Sequence, residues 1–333
     1  AFDLTNSTRL YKHIIEPFEK QIQSKKHLIV ATSGGLAKLP FAVLARPGKT
    51  TKDVPPSWLI QDIAISQIPN ASGWLSLKKM QTSTSSSPTL VAWGDPAFDP
   101  KAAQNEKSAH SAVRAALRSH ADSAPKSAIE EDIYLIYSKI PPLPETRDEV
   151  MALANILSAD PERDVILGTR ATRQSVLKYS QSGELAKKQV VVFATHGLLA
   201  GDLPHLSQPA LAMAGNADPK ESPLLTLEDV LSLQMKADWV VLSACNTAGA
   251  DGRAEEALSG LARGFFYAGS RSLLVTHWSV ESESAMRLTT LTFDNYHKNP
   301  TMRRAEALRQ AMLSTLALPQ YAHPTFWAPY ALV

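Results

Sequence analysis

Two side chains in this chain have the types and the setting for covalent catalysis, His196 and Cys245. Each closes a short apolar run: QVVVFATHG spans 189–197 and DWVVLSACN spans 238–246. Both runs are rich in β-branched residues and end in small or polar ones, as buried parallel strands do. In an open α/β sheet the sites form at the carboxyl ends of strands. An imidazole and a thiol 49 positions apart (245 − 196) are therefore expected side by side at one rim. A thiol is mostly protonated near neutrality, with a pKa of about 8.5. A histidine beside it can take that proton, pair with the thiolate, and later protonate a leaving amine. Cys245 is accordingly assigned as nucleophile and His196 as general base and acid. The competing reading of Cys245 is a small buried hydrophobe. Its place just past a strand end, as the single cysteine of 333 residues, favours the reactive one.

Several elements must hold that pair. TLVAWGD (89–95), DVILG (164–168) and the histidine run read as strands, separated by helical stretches at 144–158 and 170–181. Strand, helix, strand, helix, strand argues a mostly parallel sheet with right-handed crossovers. Thr146 and Glu149 stand in capping-box spacing at the first of those helices. PALAMA, within 197–223, suits a short strand. LLTLEDVLSLQM (224–235) follows as a helix capped by Thr226 and leads into the cysteine strand. The next helix is 255–269, stopped by Gly269. SLLVTHW (272–278) is a further strand ending at His277 and Trp278. Amphipathic helices at 283–298 and 302–317 precede TFWAPYALV, where Pro329 suits an edge strand.

The N-terminal part reads differently. TRLYKHIIEPFEKQIQ (8–23) places Leu10, Ile14, Phe18 and Ile22 on one helical face, interrupted at Pro17. LIVATS (28–33) and WLIQDIAISQIP (58–69) read as strands. QTSTSSSP (81–88) is a polar linker by composition. The polar stretch 96–132 is expected to be a long exposed excursion, with His110 and His120 facing solvent. The division that follows is an N-terminal part at 1–88 and a main domain at 89–333.

Composition excludes several classes. A net charge of +2 without a basic stripe gives no electrostatic reason to expect nucleic acid or a membrane surface as partner. No apolar run approaches the ~20 residues of a membrane span. One cysteine excludes an internal disulfide and fits a reducing, cytoplasmic setting. Gly34-Gly35 and GDPAFDP lack a phosphate-loop or dinucleotide fingerprint, which disfavours a nucleotide-binding α/β domain. No cofactor and no metal set is expected.

The segments ATHG, LLTLEDVLSL, VVLSACNT, ALSGLARGFFYAGSRSLLVTHWSV and AEALRQAM resemble the CHAT domain, a module of caspase- and separase-related cysteine peptidases. The likeness extends to LIVATSGGLAKLPFAVL near the start and YAHPTFWAPYALV at the end. A histidine about 50 residues before the cysteine is also the caspase spacing, whereas papain-like enzymes place the cysteine first. The resemblance implies a caspase-like three-layer α/β/α sandwich with an N-terminal companion α/β subdomain lacking the catalytic pair. It implies a cysteine endopeptidase acting on a protein substrate through a His/Cys dyad. The backbone N–H groups of Gly197 and Cys245 would form the oxyanion hole, and His277 and Trp278 would line the substrate groove. It further implies control by a helical-repeat region or activator, and in bacteria a link to defence and cell death through gasdermin-type substrates. A catalytically silent CHAT scaffold is the alternative. Caspases bind an acidic P1 residue with an arginine just past the third strand. SVESES stands there instead, so aspartate specificity is not expected. Asp202, Asp251, Glu281 and Glu283 are candidates for reading a basic P1 residue, and an apolar P1 stays open.

Overall fold

Continuous apolar runs, not alternating ones, build the sheet that carries the histidine. The computed structural model describes residues 2–31, 35–36, 39–48, 55–68, 89–99, 136–203, 206–215, 221–243, 254–278, 280–299 and 301–333, with the side chains of 254–259 left aside. The chain groups into two compact units, Ala1–Ser87 with Ser272–Val333, and Pro88–Arg271. The grouping is one of compactness: it takes the chain from Ser272 onward with the N-terminal residues, where the sequence division runs 89–333 as one piece.

In the first unit, helix α1 (Leu4–Ile14) is broken where Pro17 enters a 3-10 turn at Glu16–Phe18. Strands β1 (His27–Ala31) and β2 (Ala64–Ile68) pair in parallel, and helix α2 (Leu59–Asp62) leads into β2. The sequence expectation of one strand over 58–69 is thus corrected: its first residues form a helical turn in which the Gln61 side chain accepts from the Trp58 N–H at 2.7 Å. The expected face of α1 is corrected too. Ser7, Tyr11 and Ile15 are buried, while Phe18 is 57% exposed. Polar anchoring turns the helix, because Ser7 Oγ donates to the Val43 carbonyl at 2.7 Å and accepts from Ala45 N–H at 2.8 Å.

The second unit is an α/β/α sandwich. Strands β3 (Leu90–Pro96), β4 (Val165–Gly168), β5 (Val190–Ala194) and β9 (Trp239–Leu242) run parallel in the order β9-β5-β3-β4. Helices α3 (Glu145–Ile156), α4 (Arg173–Gln181), α5 (Leu227–Ser232) and α6 (Ala254–Tyr267) cover it. Successive strand residues point to opposite faces, and β3 shows which helices lie where. Trp93 stacks on Phe193 of β5 (centroids 5.2 Å apart) and donates its indole N–H to Ser175 of α4 at 2.8 Å. Phe193 in turn meets Phe265 of α6 at 5.5 Å. Its neighbour Gly94 faces the other way, where a Cβ would come within 3.0 Å of Val150 on α3. Each such fully buried aromatic contributes roughly 1.5–3 kcal/mol.

Three short antiparallel strands, β6 (Gly197–Leu198), β7 (Ala210–Ala212) and β8 (Leu224–Thr226), follow β5. PALAMA is therefore a strand as read. Thr226 caps α5 with a full capping box to Asp229. The capping box read at Thr146 and Glu149 is not formed and is a correction: the residue before α3 is Pro144, with no side-chain cap. Thr146 Oγ1 instead donates to Leu143 and accepts from the Asp95 N–H, and Glu149 is buried.

The remaining elements belong to the first unit. Strand β10 (Leu273–Thr276) pairs antiparallel with β11 (Tyr330–Leu332), and helices α7 (Ser282–Lys298), α8 (Arg304–Leu316) and α9 (Pro324–Trp327) lie between them in sequence. Pro329 directly precedes β11, its carbonyl accepting from His277 N–H at 2.7 Å.

Candidate active site

The parallel pairing of β5 and β9 delivers their carboxyl ends to the same level, Phe193 standing opposite Leu242. One step on, Thr195 N–H donates to the Ser243 carbonyl at 3.2 Å, so the two chains remain in register past the strands. Thr195 Oγ1 donates to the Ala212 carbonyl, and Ala212 N–H donates back to the His196 carbonyl at 2.9 Å. The backbone of His196 is thereby clamped between the parallel sheet and β7.

The imidazole is 7% exposed. Its Nε2 lies 2.8 Å from the Pro141 carbonyl oxygen, which can only accept, so Nε2 carries the hydrogen. Nδ1 is buried and meets no hydrogen-bond partner among the described residues. Burial lowers the pKa of His196, opposed by the Pro141 hydrogen bond and by the charge of Glu145. The ring is therefore neutral near pH 7, with Nδ1 as its unprotonated nitrogen.

An apolar cluster fixes the surroundings. The Phe98 ring lies 5.5 Å from the imidazole and 6.0 Å from Tyr137. Phe98, Tyr137, Ile140, Leu198, Leu203, Leu206, Ala210 and Ala212 pack as one group. Buried Tyr137 donates its hydroxyl to the Met213 carbonyl, tying the segment before Pro141 to the end of β7. Gly197 is buried and opens β6 opposite Leu211. Ser243, the last described residue before the cysteine, donates its hydroxyl to the buried Glu149 at 3.0 Å.

His196 and Gly197 are placed as adjacent buried residues at the rim. Cys245 lies outside the described residues, as do Asp251, His205, His110 and His120. His277 and Trp278 belong to the other compact unit. There His277 Nε2 meets Gln67 Oε1 at 3.1 Å, and burial brings its pKa down to about 4. Trp278 lies beside it with centroids 6.2 Å apart and donates to the Thr325 carbonyl at 3.2 Å. Asp202 and Glu281 are both engaged locally, Asp202 accepting from Leu199 N–H at 2.8 Å and Glu281 capping α7. Among the described residues no group of three or more His, Cys, Asp or Glu could hold a metal, and no helix is long and apolar enough to cross a membrane. Sequence reasoning missed Pro141, Phe98, Tyr137 and the destination of Glu149. Three of these act through a carbonyl, a ring face or a phenol far from His196 in sequence, and leave no local motif.

Residues 5–333 match the CHAT domain family. The chain belongs to that family. Among solved structures, the CHAT chain is similar to the crystal structure of the Arg-specific cysteine proteinase gingipain R, with a TM-score of 0.49 and 8% identity. The match covers 97% of the CHAT chain and 66% of the gingipain chain, just short of two thirds of the latter. No curated protein matches the sequence.

Proposed function

We propose that this CHAT chain is a cysteine endopeptidase with a caspase-like fold, cleaving a protein substrate with Cys245 as nucleophile and His196 as base and acid. The observation that carries the reading is the imidazole at the sheet rim: Nε2 is committed to Pro141, and Nδ1 is buried without a described partner. Ser243 is hydrogen bonded to the residue before His196, and two further peptide units reach at most about 7.6 Å between Cα atoms. Nδ1 takes the thiol proton, and the sulfur attacks the scissile carbonyl to form a C–S bond. The backbone N–H groups of Gly197 and Cys245 hold the oxyanion. The tetrahedral intermediate collapses, the C–N bond breaks, and the amine leaves with the proton from His196. Water, deprotonated by the same nitrogen, then hydrolyses the thioester. The single cysteine extends the proposal to a cytoplasmic setting, and the family likeness extends it to control by a helical-repeat region or activator outside these residues and to gasdermin-type substrates in bacterial defence.

The test compares wild type, Cys245→Ala and His196→Ala on a fluorogenic peptide library, alongside labelling by a peptidyl acyloxymethyl ketone. Cleavage and labelling by wild type alone is the expected result, and the library then reads the P1 preference directly. Cys245 that neither labels nor affects cleavage would sink the reading in favour of a silent scaffold.

A further inference from the structure

Glu149 is 2% exposed on α3, next in sequence to the buried Val150. A carboxyl group in such a place costs several kcal/mol unless hydrogen bonded. The residue before α3 is Pro144, with no side-chain cap, although the spacing of Glu149 from Thr146 suits a capping box. Glu149 accepts the Ser243 hydroxyl at 3.0 Å, a bond between residues 94 apart in sequence. Ser243 is itself 8% exposed, and its carbonyl accepts the N–H of Thr195, the residue before His196. The same residue stands two positions before Cys245. One serine thus joins α3 through its side chain and the histidine strand through its backbone, at the point where the cysteine segment departs.

We infer that the Ser243–Glu149 hydrogen bond is a positioning device for the His196/Cys245 pair, with Glu149 acting through Ser243. The inference rests on the peptidase reading of that pair. Its energetic logic is that a buried acceptor fixes the serine rotamer, and with it the direction in which the chain leaves β9. Small misplacement of a reacting group far outweighs its structural cost: a shift of about 1 Å lowers rates on the order of 100-fold.

Because Cys245 is the only cysteine, alkylation of the whole chain by iodoacetamide reads that thiol alone and needs no substrate. The rate is followed from pH 5 to 9 in wild type, His196→Ala, Ser243→Ala, Glu149→Ala, Glu149→Gln and the Ser243→Ala/Glu149→Ala double variant. Near-ultraviolet circular dichroism reports folding of each. Wild type is expected to react at pH 7 about tenfold faster than a free thiol, and His196→Ala to abolish the excess. Ser243→Ala and Glu149→Ala lose most of that excess, and the double variant loses no more than either. Glu149→Gln keeps it to within about threefold, since an amide oxygen still accepts the serine hydroxyl. If Glu149→Ala does not fold, Ser243→Ala and Glu149→Gln carry the test. Folded Ser243→Ala with wild-type reactivity, additive losses, or a Gln variant as slow as Ser243→Ala would overturn the positioning role. If wild type reacts as a free thiol and His196→Ala changes nothing, the peptidase reading fails, and this inference with it.

Discussion

Three glycines close together on and after α6 should respond to the same Gly→Ala change with three different outcomes. Gly260 lies in the helix with nothing among the described residues within 4 Å of where a Cβ would stand. Alanine there gains helix propensity and restricts the unfolded chain, stabilising by about 0.5–1 kcal/mol. Gly264 makes the same gain, but its Cβ would come within 2.7 Å of Leu227 Cδ1 and 3.2 Å of Val230 Cγ1 on α5. The end of the leucine can give way, so overpacking of about 1–3 kcal/mol outweighs the propensity gain by a modest margin. Gly269 ends the helix with φ +110, and the bonds Gly269 N–H to Phe266 and Ser270 N–H to Phe265 complete a Schellman cap. Left-handed backbone alone costs a residue with a Cβ about 1–2 kcal/mol. That Cβ would also run into the Met235 carbonyl group, its oxygen first and its carbon at 3.0 Å. Met235 cannot retreat cheaply, because its N–H donates to the Ala268 carbonyl at 2.9 Å. The sum for Gly269→Ala is about 4 kcal/mol or more, beyond the ordinary range for a point substitution. Equilibrium urea denaturation followed by tryptophan fluorescence reads all three, with slopes compared to confirm that only stability changed. Gly269→Ala falling within about 1 kcal/mol of Gly260→Ala would refute the cap and close-approach reasoning.

Three further outcomes concern acid and the apolar cluster. His277 has its pKa lowered to about 4 from the usual 6.5, so the unfolded chain binds more protons between those values. Stability should rise as pH climbs from about 4 to 6.5 and level off above it, by at most about 3 kcal/mol and less where solvent screens the ring; a urea midpoint that is flat across that window argues against it. For Asp164, burial opposes ionisation but hydrogen bonds from Arg163 and Lys188 outweigh it and bring the carboxyl to about 2. Its contribution is present above 3.8 and lost as pH falls through about 2, so Lys188→Met should shift that acid limb to higher pH in the same titration. Tyr137→Phe removes the hydroxyl that donates to Met213 and should cost about 1–3 kcal/mol. A wild-type urea midpoint for Tyr137→Phe would show that the phenol does not hold the segment before Pro141.

Much of the second unit was legible because its signals are local. Val190–Ala194 and Trp239–Leu242 are continuous apolar runs buried along their length, as parallel strands covered by helices are. Thr226 and Gly269 bound helices by bonds to residues three to five positions away, so spacing alone reveals them. The misreadings share a different cause. Leu10, Ile14 and Phe18 make a good apolar stripe, yet Ser7 and Tyr11 face inward, because their polar atoms find Val43, Ala45, Glu19 and Arg46. Thr146 and Glu149 match a cap by spacing, but Pro144 stands before the helix, and partners 51 and 94 residues away take both side chains.

The third member of the site illustrates why inspection of side-chain types could not complete it. Reading the sequence for an orienting group means looking for an acid or amide near the base, and none could be named. The group that orients His196 is the Pro141 carbonyl, 55 residues upstream, which any residue type would supply. A proline still suits the task, since it has no N–H of its own to satisfy and holds its φ fixed. A neutral acceptor also differs from a carboxylate in consequence. It selects the tautomer without a full counter-charge, so burial wins and the His196 pKa falls instead of rising. In the proposed mechanism, a depressed imidazole pKa keeps the free base present below pH 6.5 and makes the imidazolium formed on taking the thiol proton a strong acid toward the leaving amine. The same burial makes a lone imidazolium costly, so the charge is best tolerated when a thiolate or oxyanion is present to meet it.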